Sequence, residues 1–162
     1  MVLVANIISI IAGICSIASV YGKDKNQIVY IEYMCSILRM ISNSIVKSWS
    51  DVIAKFIKCL SQCLMLADKL DKFKVKLFIV MYLLVSLTIT FVSKDYRCLI
   101  AIVPSVIEFY ALLVPSTKMY RQRVILTKVF WTINNLVFKL YVGIIFDFIV
   151  VIGHIIKNKK AK

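Results

Sequence analysis

Histidine occurs once, acidic residues number 8 against 21 lysines and arginines, and no stretch of the chain stays hydrophilic for long. Each scarcity removes a class of function. A lone His154 without clustered carboxylates offers no ligand set for a metal ion, so no metal site is expected. No nucleophile elbow, phosphate-binding loop, HExxH or CxxC pattern occurs, which leaves catalysis without a motif and implies neither an enzyme nor a cofactor. The absence of a long polar stretch excludes a separate soluble domain. No basic n-region precedes the first apolar run and Ser16 to Ser19 makes a poor cleavage site, so Met1 to Tyr21 reads as a retained span.

What is present is apolar. Over 162 residues, 61% hydrophobic content and a mean hydropathy of +0.88 exceed what a soluble core of that size buries. The class is an all-α polytopic membrane protein. A net charge of +13 in a soluble protein would point to nucleic acid. In a membrane protein it sets orientation and favours anionic headgroups, so the partner implied is the lipid bilayer and not nucleic acid. The five cysteines, Cys15, Cys35, Cys59, Cys63 and Cys98, all lie in apolar segments. They read as reduced packing residues.

Apolar runs fall at 3–20, 28–46, 51–67, 77–92, 98–115, 124–139 and 141–156. Most are about 16 to 19 residues, just long enough for a hydrocarbon core of about 30 Å. No alternating period persists, and lipid tolerates only helices or closed barrels, so strands are not expected. The connections are short and polar. Seven helices result, with the weak break at Lys139 to Gly143 leaving six as the alternative. Basic residues decide the orientation. Lys23, Lys25, Lys69, Lys72, Lys74, Lys76, Lys118, Arg121, Arg123, Lys157, Lys159, Lys160 and Lys162 fall on one side, and only Lys47, Lys94, Arg97 and Lys139 on the other. The basic side stays inside, which puts the C-terminus in the cytoplasm and the N-terminus outside a multi-pass protein.

An internal echo accompanies these runs. Shifted by 96 positions, Val124, Ile125, Ile133, Asp147 and Ile149 fall on Ile28, Val29, Ile37, Asp51 and Ile53. The expected organisation is an N-terminal three-helix bundle at 1–67, a linker helix at 77–92, a C-terminal three-helix bundle at 98–156 and a basic tail at 157–162. One intervening span makes the two triplets parallel, related by an axis along the membrane normal.

Pro104, Arg121, Trp131, Asn134, Tyr141, Gly143 and Phe148, with an opening apolar helix that ends in a short Lys/Gln-containing loop, resemble the YgjV family of bacterial inner-membrane proteins. The resemblance covers nearly the whole chain and implies an inner-membrane location. That family is similar in turn to the SWEET, PQ-loop and PnuC carriers, which implies triple-helix bundles around a substrate path. The chain departs from the carriers at their namesake motif. Pro104 is followed by Ser105, and the equivalent position of the first run is Ile8, so the first bundle lacks the hinge proline that the likeness implies.

Charged groups at membrane depth are costly and by default face the bundle interior. Glu32 and Lys128 occupy corresponding positions of the repeat, where they form either a gate or an ion pair that locks the bundles. Arg39 and Asn135 correspond about two turns deeper, with Asn43 one turn beyond Arg39 and Asn134 beside Asn135. Arginine's fork of donors suits a carboxylate or phosphate. Trp131, four residues before Asn135 on the same face, offers a ring for stacking. Arg39, Asn43, Trp131, Asn134 and Asn135 are therefore the candidate substrate residues, with interhelical hydrogen bonding as the plainer role.

Glu32, Lys128, Glu108 and Asp147 are candidates for gating or coupling. Glu108 follows Pro104 by four residues, and its carboxyl is either a proton carrier or a neutral hydrogen-bonding group. Asp51 reads as a helix cap, while Asp147 sits deeper. Lys55 and Lys58 share a face and are expected to snorkel to the interface. His154 near a helix C-terminus is expected in its charged form. Ser9 and Gly13, or Ala12 and Ser16, are small residues fit for close helix contact or dimerisation.

The leading reading is a small-solute transporter or facilitator of SWEET-like architecture, with a small polar metabolite as ligand. Two alternatives stand beside it. One is a non-transporting subunit, scaffold or regulator that binds a protein partner or its own copy through the small-residue stripe and the loop Asp68 to Lys76. The other is the substrate-binding subunit of a vitamin importer, which needs six helices.

Overall fold

The apolar runs become helices whose ends are set by short polar caps. The computed structural model describes residues 2–45, 49–93, 96–137 and 141–160. Among these, seven α-helices and no strand are found: α1 (Val2–Ala18), α2 (Lys25–Ile45), α3 (Trp49–Leu66), α4 (Lys72–Ser93), α5 (Ile102–Ala111), α6 (Thr117–Val137) and α7 (Tyr141–Lys160). Short 3-10 segments at Ser19–Tyr21 and Tyr96–Ala101 follow α1 and precede α5. The weak break at Lys139 lies outside the described residues, but α6 and α7 pack side by side, with Lys128 and Asn135 bonded to Asp147, so they are not one kinked element, as a six-helix importer subunit would require. The expected cap at Asp51 lies outside the described side chains.

Polar residues of the connections stop and start the helices. Asp24 Oδ1 accepts from the backbone of Gln27 at 2.8 Å, and Gln27 Oε1 accepts from the backbone of Lys23 at 2.9 Å, a reciprocal cap for α2. Asp71 caps α4 by accepting from the Lys74 backbone at 2.8 Å, and that bond holds its carboxyl below the ordinary aspartate range. At the end of α3, Asp68 takes a left-handed conformation with φ 52°. Its N–H donates to Met65 at 3.0 Å and that of Lys69 to Leu64 at 2.9 Å, the paired bonds of a Schellman ending.

The fifth apolar run does not form one helix over 98–115. Pro104 is the third residue of α5, in the first turn, where its missing N–H has no intrahelical partner to lose. The run therefore divides into a 3-10 lead-in and a ten-residue helix. Their combined rise is about 27 Å, close to a hydrocarbon core. Lys118, Arg121 and Arg123, which the sequence suggested as loop residues, lie within α6, and Arg121 is buried.

Each helix packs against its neighbours in the chain, and α7 closes back on α1, so the seven helices form a ring. One end of the ring gathers Ile28 and Val29 of α2, Met65 of α3, Ala111 and Leu112 at the end of α5, and Tyr120 and Val124 of α6 into an apolar cluster. A second cluster, Ile57, Val75, Phe78, Tyr82 and Phe109, fixes α4 against α3 and α5. Phe78 stacks on Phe109 at 6.4 Å between centroids, and Tyr82 meets Phe109 edge-on at 6.0 Å.

The seam between α1 and α7 depends on small residues. A Cβ on Gly13 would lie 2.6 Å from the Phe146 ring, and one on Gly153 would lie 2.7 Å from Val20. Ala12 is fully buried, and Ser9 Oγ lies 2.8 Å from Ser42 Oγ on α2. The buried part of the small-residue stripe, Ala12, Gly13 and Ser16, is thus used for close packing within the chain, while Ser9 is exposed.

Burial is inverted relative to a soluble protein. Arg121, Lys128, Asp147, His154, Asn134 and Gln62 are buried, while Phe73, Phe91 and Val92 are each at least 75% exposed. A protein in water pays a large penalty for that arrangement, whereas one surrounded by hydrocarbon requires it. Leu3–Tyr21 and Lys72–Val92 are long and apolar enough by themselves to cross a membrane. The helices of the polar interior, α2, α3 and α6, carry charges that lower their mean hydropathy.

Candidate functional site

A cavity opens inside the ring between α1, α2, α3, α5 and α6. With its mouth it encloses about 560 Å³, of which about 30 Å³ admits water-sized centres, room for about two waters. Its wall combines Ser16 of α1 with Glu32, Cys35, Ser36 and Arg39 of α2. Lys58, Ser61 and Gln62 come from α3, and Glu108 and Phe109 from α5. From α6 come Tyr120, Val124, Thr127 and Lys128.

Most of these charges are paired across helices. Lys58 Nζ lies 2.9 Å from Glu108 Oε2, and Trp131 Nε1 donates to Glu108 Oε1 at 3.1 Å. Lys55 Nζ sits 4.6 Å from the centroid of the Trp131 ring. Both lysines of α3 therefore turn inward to α5 and α6 and do not snorkel outward. Lys128 Nζ donates to Asp147 Oδ1 at 3.0 Å, and Asn135 Nδ2 donates to Asp147 Oδ2 at 2.9 Å, joining α6 to α7. Gly143 leaves space for that amide, since a Cβ there would lie 2.9 Å from Asn135 Nδ2.

Three groups on the cavity wall remain with capacity to spare. Arg39 has no hydrogen-bond or ion-pair partner among the described residues. Gln62 is 1% exposed, yet neither its amide nitrogen nor its oxygen is bonded. The Thr127 hydroxyl, on a residue 2% exposed, is likewise unbonded. Glu32 accepts one hydrogen bond, from Tyr120 Oη to Oε2 at 3.0 Å. Buried atoms of Asn134, His154 and Asn158 are bare as well, away from the cavity. Buried polar atoms nearly always find partners, so the bare ones that share the cavity mark a place for water or a ligand.

Beside the cavity, Arg121 forms a clamp that sequence reasoning missed. Its Nη1 donates to the carbonyl of Val20 at 2.8 Å and contacts His154 Nδ1 at 3.0 Å, while Nη2 donates to the carbonyl of Gly22. Both carbonyls belong to the turn after α1, so one side chain of α6 satisfies that end and ties it to α7. Arginine has no acceptor, so Nδ1 must accept. His154 is therefore a neutral ring at the centre of the ring closure and not the exposed imidazolium expected at a helix end. The signal available in the sequence was the pairing of a single histidine with an arginine one turn into α6, and it was masked by counting Arg121 as a loop charge.

The Imp-YgjV family model, described as bacterial inner membrane protein, matches residues 3–160. The chain belongs to that family. Neither a curated protein nor a solved structure matches it. A YgjV-family protein is an inner-membrane protein, in agreement with the apolar exterior and polar interior of the ring.

Within this YgjV-family chain, the structure divides the sequence-derived candidates. Of the candidate substrate residues, Arg39 lines the cavity, whereas Asn43, Trp131, Asn134 and Asn135 stand outside its wall. Trp131 and Asn135 spend their donors on Glu108 and Asp147. Of the gating or coupling candidates, Glu32, Glu108 and Lys128 line the cavity and Asp147 lies behind it as the partner of Lys128. Glu32 and Lys128 share the cavity, but their bonds run to Tyr120 and Asp147, not to each other. Lys58, Gln62 and Thr127 were not singled out for the site, because a lone amide or hydroxyl in an apolar run carries no motif.

Proposed function

We propose that this YgjV-family protein is a multi-pass carrier or facilitator for a small polar solute, with the cavity between α2, α3, α5 and α6 as its binding site. One observation carries the reading: the buried Gln62 amide and Thr127 hydroxyl and the half-buried Arg39 guanidinium line one cavity without a hydrogen-bond partner among the described residues. A bundle held together for structure alone gains nothing from leaving buried polar atoms bare, because each costs about 1–3 kcal/mol. The ring is compatible with two triplets, α1 to α3 and α5 to α7, with α4 as the link, since α4 has the weakest packing on its neighbours and contributes no residue to the cavity wall among the described residues. All seven helices cross the membrane in this reading, with the lysine-rich end of the ring and the C-terminus in the cytoplasm.

A competing scaffold role is disfavoured by the small-residue stripe of α1, whose buried part is already covered by α2 and α7. Purified protein in proteoliposomes, loaded with a panel of labelled amino acids, sugars and organic acids, tests the proposal. Saturable uptake of at least one solute, reduced by Gln62→Leu, is expected. Uptake no faster than in empty liposomes for every solute would refute it. A reporter fused to the C-terminus checks the topology, and an external reporter would overturn the seven-span arrangement.

A further inference from the structure

Resting on the carrier reading, the geometry points to the class of solute: we infer that the cavity binds a small zwitterion, with its carboxylate on Arg39 and its ammonium on Glu32. On the cavity wall, Lys58 is paired with Glu108 at 2.9 Å and Lys128 with Asp147 at 3.0 Å. Of the charged residues of the wall this leaves Arg39 and Glu32, while Lys55, outside the wall, sits against the Trp131 ring. Neither Arg39 nor Glu32 has an oppositely charged group bonded to it among the described residues, and charged groups inside a bundle favour partners of opposite sign.

Spacing then selects the ligand. Glu32 and Arg39 are seven residues apart on α2, two turns along one face, with a rise of about 10 Å between their Cα atoms. Both side chains lean towards the helix N-terminus, so the common tilt leaves the spacing set by the rise, and the longer reach of Arg39 narrows it. A molecule with net charge zero and two separated charges satisfies both groups. A simple anion or cation satisfies one and leaves the other bare.

The chemistry at each pole agrees. The planar fork of Arg39 matches a carboxylate with two parallel hydrogen bonds. Glu32, already holding the Tyr120 hydroxyl on Oε2, keeps Oε1 for an ammonium donor. Gln62 and Thr127, unbonded on the same wall, serve the polar atoms between the poles. The enclosed space for about two waters corresponds to a closed ring, and an amino-acid-sized ligand displaces that water.

The test uses the full chain in lipid nanodiscs, with thermal unfolding and titration calorimetry as readouts. The probes are β-alanine and γ-aminobutyrate, the singly charged analogues propionate and propylamine, and the neutral solutes glycerol and glucose. A zwitterion is expected to raise the unfolding midpoint and to bind at least about thirtyfold more tightly than either singly charged analogue, the loss expected when one partner of a buried charge pair is removed. Glu32→Gln and Arg39→Gln are each expected to abolish that preference. Binding led by a neutral solute or a single-charge analogue overturns the zwitterion assignment while leaving the carrier reading in place. Absence of any binding by the zwitterions, together with failure of the broader uptake panel, overturns both. Should either variant fail to fold, the wild-type ranking of zwitterion against its singly charged analogues decides the matter by itself.

Discussion

Removing Asp147 should expose how much of the fold rests on one buried ion pair. Lys128 Nζ and Asp147 Oδ1 are 3.0 Å apart, with side chains 8% and 4% exposed. At an effective dielectric of about 20, Coulomb attraction at that distance is about 5.5 kcal/mol, most of it offset by the desolvation of the two charges. The pair therefore adds little relative to an apolar replacement, whereas either charge alone is costly. Asp147→Leu strands the Lys128 ammonium and also deprives the Asn135 amide of its acceptor at 2.9 Å. Each of Asp147→Leu and Lys128→Met should cost about 3–5 kcal/mol, and the two together should return to within about 1–3 kcal/mol of wild type, the remainder being the Asn135 amide without its acceptor. Reversible unfolding in mixed micelles, run on all four proteins, provides the cycle. Single variants within about 1 kcal/mol of wild type would mean that water from the cavity solvates the pair, and its account as a buried ion pair would be wrong.

Gly13→Ala places a methyl 2.6 Å from the Phe146 ring. It should destabilise the closure of α1 on α7 by about 1–3 kcal/mol, measurable as a lowered thermal midpoint. An unchanged midpoint would show that this seam is loose. At the end of α3, Asp68 holds a left-handed backbone with φ 52°, a conformation that glycine adopts without penalty. Asp68→Gly is expected to raise stability by about 0.5–1 kcal/mol in the same assay, and a loss would indicate that the aspartate side chain contributes more than its backbone costs.

Much of the fold is legible in the sequence because its physics is local. Hydrophobic run lengths give seven helices, and polar residues between them mark several of their ends, Asp24 and Asp71 starting α2 and α4 and Asp68 ending α3. Boundaries fail where a helix starts with charge. The run containing Lys118, Arg121 and Arg123 looks like a loop, yet a polar first turn is compatible with a helix that buries one of those charges against another element. The site is harder to read for a different reason. The repeat pairs Glu32 with Lys128 by position, but the partner of a buried charge is decided by helix rotation and by depth. Asp147 meets Lys128 from α7, a helix that the offset does not relate to α6, and Tyr120 meets Glu32 from α6 but from a position that the offset does not pair with it. Gln62 and Thr127 illustrate the converse, since their importance lies in bonds they do not make, and no pattern in the chain records an unmade bond.

The ring is closed by its two ends, and this has a consequence for how the protein is made. Gly13, Val20 and Gly22 at the start of the chain receive Phe146, Gly153 and Arg121 from its last third, so the first helix must wait in the bilayer until the seventh has left the ribosome. Until that moment Gly13 of α1 is uncovered and Lys128 on the cavity wall lacks its Asp147 partner. Contacts across about 100 residues of chain form late and slowly. A nascent or truncated chain that ends before α7 therefore presents a sticky bundle with Lys128 unpaired, which is the state that membrane quality control would see.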